Sequence, residues 1–158
     1  MYTVAVLVSS DRAYAGVYPD KSGAYLQDKM QKEGYDVVDL TILPDDYSRL
    51  KDKLSEYVAR GINLVLTSGG TGFAERDGMP EATKAVIDRE TPGVSEAIRT
   101  KSLAITDHAM LSRATSGIKN KTWIINLPGS RKAVEESLSF ILGALSHGLG
   151  ILNGTADN

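Results

Sequence analysis

The chain contains no cysteine, and this absence excludes several kinds of chemistry. Without thiols there can be no disulfide, no thiolate metal site and no cysteine nucleophile. Only two histidines are present, His108 and His147, and their separation does not fit the ligand spacing of a zinc site. We therefore expect no zinc or thiol chemistry, and a reducing, cytoplasmic location.

Long apolar runs and an excess of charge are also missing. No apolar run approaches the roughly 18 residues that cross a bilayer, and no secretory signal precedes the first predicted strand. The formal net charge of −2 gives no reason to expect a nucleic-acid partner. We expect no membrane partner, one soluble domain over residues 1–153, and a flexible polar tail at 154–158.

What the chain does contain is an alternation of strand and helix patterns. Short apolar runs predict parallel strands over 3–8, 37–43, 63–67 and 122–127, and 113–118 predicts a hairpin partner for the last of these. Helical spacing occurs over 20–33, 50–60, 80–87, 94–103, 107–111 and 131–146. This order predicts an α/β fold: a three-layer αβα sandwich whose sheet is mostly parallel with one antiparallel strand.

The third predicted strand is followed by a glycine-rich turn, Ser68-Gly69-Gly70-Thr71-Gly72. Glycines permit positive φ and close approach of a ligand, and successive backbone N–H groups form a concave anion site. The hydroxyls of Ser68 and Thr71 add donors suited to phosphate oxygens. The spacing fits neither the P-loop nor the dinucleotide fingerprint. We predict a phosphate-binding turn of another kind.

Carboxylates follow the same strand ends. Asp11 comes after the first predicted strand, Asp45 after the second, and Asp77 five residues beyond the turn. Asp46 suits the N-cap of the next helix, which leaves Asp45 unused by that helix. Two purely structural interpretations stay open. In these, Asp11 forms part of a solvated turn with Arg12, and Asp77 is a charge that favours a helix N-terminus.

Parallel strands present their carboxyl ends at one edge of the sheet, so these loops are expected to converge, together with Pro128-Gly129-Ser130 after the last predicted strand. Carboxylates beside a phosphate cradle suit Mg²⁺, which binds through one or two carboxylates plus substrate phosphate oxygens. Such a site catalyses phosphoryl or nucleotidyl transfer by positioning and charge neutralisation.

Residues 67–72, followed by Arg76-Asp77 and 80–83, resemble the signature of the molybdopterin adenylyltransferase family, which includes the bacterial MogA-type proteins and the gephyrin G domains. The resemblance covers nearly the whole chain, and its further matches lie at 10–13, 16–18, 20–21, 44–46, 92–93, 111–113 and 127–130. Residues 10–21 and Leu111-Ser112-Arg113 favour the MogA branch over MoaB-type relatives. One departure is Met79, where a threonine is usual.

The resemblance implies transfer of AMP from ATP to the terminal phosphate of molybdopterin, with Mg²⁺ required and pyrophosphate released. Asp45 and Asp77 would be the catalytic carboxylates and metal ligands. The substrate contacts that the resemblance and the strand ends suggest are Asp11, Ser68, Gly69, Gly70, Thr71, Gly72, Ser112, Arg113, Pro128, Gly129 and Ser130.

Two further expectations come from the same resemblance: a homotrimer, and a molybdenum-insertion protein as a possible partner. The alternative function is that of a MoaB-type molybdopterin-binding or carrier protein without nucleotidyl transfer. Met79 keeps this alternative open, because a hydroxyl near the site is lost.

Overall fold

The computed structural model describes residues 1–156 and contains a six-stranded sheet flanked by helices. The strands are β1 (Thr3–Ser9), β2 (Asp36–Leu43), β3 (Leu64–Ser68), β4 (Arg89–Glu90), β5 (Ser116–Lys119) and β6 (Thr122–Leu127). The helices are α1 (Asp11–Tyr14), α2 (Ser22–Lys32), α3 (Tyr47–Ala59), α4 (Met79–Val86), α5 (Pro92–Leu103) and α6 (Arg131–Leu152), with a 3₁₀ helix at Asp107–Leu111.

The strand order across the sheet is β2-β1-β3-β6-β5-β4. The first four of these run parallel to one another, whereas β5 pairs antiparallel with β6 and β4 pairs antiparallel with β5. Only β5 therefore opposes the general direction of the strands in the described part of the chain. The prediction of a mostly parallel sheet with one antiparallel strand is confirmed.

The core lies in two layers, one on each face of the sheet. Along β1, Val4, Val6 and Val8 pack against α2, α5 and α6, while Ala5 and Leu7 pack against α3 and α4. Burial on both faces explains why β1 is a continuous apolar run rather than an alternating one. The three-layer αβα prediction is thereby confirmed.

Several element boundaries differ from the predicted ones. Helix α6 does not end near Ser146 but continues to Leu152, and Leu149 in this additional part is buried in the core. Gly148 packs directly against the Trp123 ring, where a Cβ would lie 2.7 Å from the nearest ring atom. The hairpin strand begins at Ser116 rather than Arg113. The two-residue strand β4 and the single-turn helix α1 were not predicted.

The predicted tail lies partly outside the described residues, since 157 and 158 are not described. Before them, Thr155 N donates to the Gly150 carbonyl at 2.8 Å, and Thr155 Oγ1 lies 3.0 Å from Tyr2 Oη. Among the helices of residues 1–156, none combines the length and the apolar character needed to cross a bilayer.

Candidate active site

The loops after β1, β2, β3 and β6 meet at the carboxyl edge of the sheet around a cleft of about 750 Å³, here called the acidic cleft. Asp45 and Asp77 both line it, as the sequence predicts for loops that follow parallel strands. The other predicted site residues on its wall are Asp11, Ser68, Gly69, Gly70, Gly129 and Ser130. Three cationic side chains, Arg12, Lys21 and Arg131, line the same cleft.

A second cleft of about 480 Å³, the apolar cleft, lies between α5, the 3₁₀ helix and the start of α6. Its walls include Ile98, Ile105 and Leu111. The remaining predicted site residues on its wall are Thr71, Gly72, Ser112 and Pro128, and Ser130 lines both clefts. Apart from Arg113, the predicted residues are therefore divided between two clefts that meet at the glycine turn.

The glycine turn has the positive φ values that its composition predicts, +92° at Gly69 and +69° at Gly70. A Cβ on Gly69 would collide with the Ser9 carbonyl, so only glycine fits there. Hydrogen bonds fix the turn: Gly69 N donates to the Leu127 carbonyl, and Ser68 Oγ donates to the Pro128 carbonyl at 2.8 Å. The Ser68 hydroxyl proton is thus used within the protein.

Asp45 and Asp46 have separate tasks, as predicted. Asp46 is the N-cap of α3, and its side chain accepts from Arg49 N. Asp45 Oδ1 accepts from Ser9 Oγ at 2.5 Å, and Asp45 Oδ2 accepts from Asp11 N at 3.1 Å. Sequence reasoning missed Ser9, because a serine ending an apolar strand carries no signal of its partner.

Asp11 joins three loops. Its Oδ1 accepts from Asp45 N at 2.9 Å, and its two oxygens accept from Arg76 Nε and Nη2 at 2.7 and 2.8 Å. The Arg76 hydrogen bonds, and then the Asp45 N–H, hold the pKa of Asp11 below its ordinary 3.8. Arg12, the sequence neighbour, instead lies over the Tyr18 ring at 5.2 Å. Arg76 is a second residue of the site that spacing alone did not reveal.

Asp77 stands just before Gly78, the N-cap of α4. Its Oδ2 accepts from Ala74 N at 3.0 Å, and a Cβ on Gly72 would lie 3.0 Å from the same oxygen. The absence of a side chain at Gly72 therefore lets the Asp77 carboxylate lie against the glycine turn.

Arg113 lines neither cleft, although it was a candidate for substrate contact. Its Nε donates to the Gly72 carbonyl at 2.7 Å and its Nη2 to the Asp77 carbonyl at 3.0 Å. Its Nη1 donates to Glu81 at 2.6 Å, and this hydrogen bond lowers the pKa of Glu81. In this structure Arg113 holds the turn and the segment carrying Asp77 together.

Met79 is fully buried and packs in the core layer beneath α3 and α4. It lines neither cleft, and its backbone N donates to the Gly70 carbonyl at 3.1 Å. A Cβ on Gly70 would lie 3.3 Å from Met79 Cβ, so the turn rests directly on this residue. The departure from the usual threonine changes the support beneath the turn rather than the cleft wall.

The carboxylate oxygens that line the acidic cleft would suit magnesium better than zinc. Within residues 1–156, no group of three or more His, Cys, Asp or Glu side chains is arranged to hold a metal ion. Two aspartates in one cleft fit an ion that takes one or two protein carboxylates and completes its shell with phosphate oxygens and water.

Comparison with known proteins finds relatives that match most of the chain. A family model described as a probable molybdopterin binding domain matches residues 5–147. A molybdopterin adenylyltransferase from Haemophilus influenzae is 42% identical over 138 residues, covering 85% of this chain and 70% of that protein. The solved structure of the molybdopterin biosynthesis enzyme MoaB from Thermus thermophilus superposes with a TM-score of 0.89 at 38% identity, covering 99% of both chains.

Another relative is much longer than this chain. Gephyrin from Dictyostelium discoideum is 38% identical over 162 aligned positions, which cover 96% of this chain but 23% of gephyrin. The chain thus corresponds to one part of that relative. The family match over residues 5–147, together with these likenesses along nearly the full chain, shows that the protein belongs to the MogA/MoaB family of molybdopterin-binding domains.

Proposed function

We propose that this protein is a molybdopterin adenylyltransferase of molybdenum cofactor biosynthesis. It transfers AMP from ATP to the terminal phosphate of molybdopterin and releases pyrophosphate. The observation that carries the proposal is the meeting of Asp45 and Asp77 in one cleft beside the glycine turn. The names of relatives such as the Haemophilus influenzae protein support the same activity.

The reaction requires positioning rather than a protein nucleophile. A phosphate oxygen of molybdopterin attacks the α-phosphorus of ATP, and the bond from that phosphorus to the β-phosphate oxygen breaks, so the electron pair leaves with pyrophosphate. The backbone N–H groups of the glycine turn beyond Gly69, whose N–H donates to the Leu127 carbonyl, and the hydroxyl of Ser130 would bind phosphate oxygens at this point. The reaction therefore needs no cysteine, which the chain lacks.

Asp45 and Asp77 would hold Mg²⁺, which when bound neutralises phosphate charge and orients the leaving group. Arg12, Lys21 and Arg131 line the same cleft and add positive charge around the polyphosphate. Together these groups offset the repulsion between two anionic substrates brought into contact.

The apolar cleft suits a flat heterocycle better than a phosphate chain. Its walls include Ile98, Ile105 and Leu111, and its volume of about 480 Å³ lies in the range of small-molecule sites. Because the clefts meet at Ser130, a reactant bound there can extend its phosphate to the glycine turn. We place the ring system of one of the two reactants in this cleft.

We further propose a homotrimer located in the cytoplasm, with a molybdenum-insertion protein accepting the adenylylated product. Sedimentation velocity of the full chain tests the assembly, because a trimer has about three times the 17.0 kDa mass of one chain. A monomer or dimer at micromolar concentration contradicts this part of the proposal without affecting the chemistry.

The activity is tested by incubating the protein with molybdopterin and Mg-ATP while pyrophosphate and adenylylated pterin are followed. Equal amounts of both products are expected. The alternative, a MoaB-type molybdopterin-binding or carrier protein without nucleotidyl transfer, predicts molybdopterin binding with neither product. Titration with ATP separates the two functions independently, because a pterin carrier has no magnesium-dependent affinity for ATP.

A further inference from the structure

Ser9 lies between Asp45 and the glycine turn, and the proposed reaction gives it no role so far. It is the last residue of β1, and only 4% of its surface is exposed. Its Oγ donates to Asp45 Oδ1 at 2.5 Å. On the other side its carbonyl abuts Gly69, and a Cβ on Gly70 would lie 3.2 Å from its Oγ.

The two hydrogen bonds to Asp45 fix the plane of its carboxylate. Ser9 Oγ reaches one oxygen and Asp11 N reaches the other, so rotation about the last side-chain bond breaks both contacts. Asp11 donates through its backbone N–H, which every substitution except proline keeps. Ser9 is thus the side-chain donor through which the orientation of Asp45 can be tested.

The neighbouring serine cannot take over this task. Ser10 Oγ accepts from Ala13 N as the N-cap of α1 and lies 3.2 Å from Tyr18 Oη. Successive residues at the end of a strand point in opposite directions, so only Ser9 faces Asp45. The pair Ser9-Ser10 therefore divides into one residue that orients a carboxylate and one that begins a helix.

We infer that Ser9 is a positioning residue whose hydroxyl holds Asp45 in the orientation in which it meets a divalent cation bound to a nucleotide polyphosphate. The inference rests on the proposed function for the identity of these ligands. Ser9 itself touches neither the reacting phosphorus nor the leaving group, and it acts through Asp45.

The test is a double-mutant cycle with Ser9→Ala, Asp45→Asn and the combined variant. Magnesium-dependent ATP affinity is measured by calorimetry without molybdopterin, so no turnover occurs, and kcat and KM are measured separately from pyrophosphate release. Ser116→Ala is the matched control, because Ser116 is a buried strand serine whose Oγ donates to the Thr91 carbonyl instead. Thermal unfolding confirms that every variant is folded.

We expect Ser9→Ala to weaken magnesium-dependent ATP binding and to lower kcat, each by about three- to tenfold, with the KM for molybdopterin changed less than about twofold. In the Asp45→Asn background the same substitution should have almost no further effect, because the group that it orients is already changed. Ser116→Ala should leave both ATP binding and kcat unchanged.

Equal effects of Ser9→Ala in both backgrounds overturn the inference, since Ser9 would then act independently of Asp45. So does unchanged ATP affinity in the single variant, or a wild-type protein whose ATP affinity does not depend on magnesium. If the wild type binds Mg-ATP but releases no pyrophosphate with molybdopterin, the proposed reaction fails, and the calorimetric cycle still decides the role of Ser9.

Discussion

Arg76 forms a two-point ion pair with Asp11 across 65 positions of the chain, at 2.7 and 2.8 Å. Asp11 in turn accepts the backbone N–H of Asp45. The segment that carries Asp77 is therefore tied through Arg76 to the loop that carries Asp45. The separation of the two candidate metal ligands depends on this connection as well as on the sheet.

The ion pair predicts a pH-dependent stability difference between the wild type and Arg76→Gln. The folded-state pKa of Asp11 lies below its ordinary 3.8, so its contribution is present above that value and is lost as the pH falls through the folded pKa. Arg76→Gln should lower Tm at pH 7, and the difference should vanish near pH 2. Lys51→Gln, an exposed cation on α3, should show no such pH dependence, and a constant difference at all pH values contradicts the prediction.

The carboxylates are tested by Asp45→Asn and Asp77→Asn, which keep the shape of each side chain but remove its charge. We expect each variant to fold and to lose about tenfold or more in turnover, because a neutral amide is a poor magnesium ligand. Asp52→Asn, at an exposed site on α3, is the matched control and should retain full activity. Full activity in either of the first two variants means that the metal ligands are misassigned.

Gly69→Ala should destabilise the fold by about 3 kcal/mol or more, because it combines backbone strain at positive φ with a collision against the Ser9 carbonyl. The variant Gly61→Ala separates the free-energy cost of the backbone strain from that of the collision. Gly61 has a φ of +71° at the end of α3, but no atom lies within 4 Å of its Cβ position, so about 1 kcal/mol is expected. Urea unfolding measures the free energy of unfolding of both variants. Equal decreases in the two variants would show that the structure relieves the collision at Gly69.

Asn126 is fully buried, and its amide connects β6 with its surroundings beneath the glycine turn. Its Nδ2 donates to Thr67 Oγ1 at 3.0 Å and to Thr83 Oγ1 at 2.9 Å, while its Oδ1 accepts from Thr115 N at 3.1 Å. Asn126→Ala should cost about 3 kcal/mol in urea unfolding, since the half-buried Thr115 N–H loses its acceptor and the buried hydroxyls of Thr67 and Thr83 lose a donor.

The single substitution Thr83→Val should cost less, about 1 kcal/mol, because the Asn126 amide keeps Thr67 as an acceptor. A loss from Thr83→Val as large as that from Asn126→Ala contradicts this account of the network.

Sequence patterns predicted the helices and strands that bury a regular apolar face. The apolar run of β1 and the stripe of α6 are readable because each buries a regular face. The cap at Asp46, and hence the separate position of Asp45, followed from residue type alone. The two-residue strand β4 was not predictable, because Arg89 and Glu90 are exposed and pair only through the position of β5.

The candidate site was predictable where loops follow strands and less so where side chains meet across the chain. The common edge brought Asp45, Asp77 and the glycine turn together. The motif predicted that Arg113 contacts the substrate. In the structure Arg113 instead donates to the Gly72 and Asp77 carbonyls, and no spacing rule reveals these partners. The role of the Ser9 hydroxyl was not predictable for the same reason, since its partner Asp45 is 36 positions away.

Asp11 and Asp45 each accept the backbone N–H of the other. Neither loop can rearrange alone, because a shift of one withdraws an acceptor from the other. Their two amide protons should therefore exchange with solvent as a single cooperative unit. The residues Tyr18, Pro19 and Asp20 line the same cleft but stand outside that reciprocal pair.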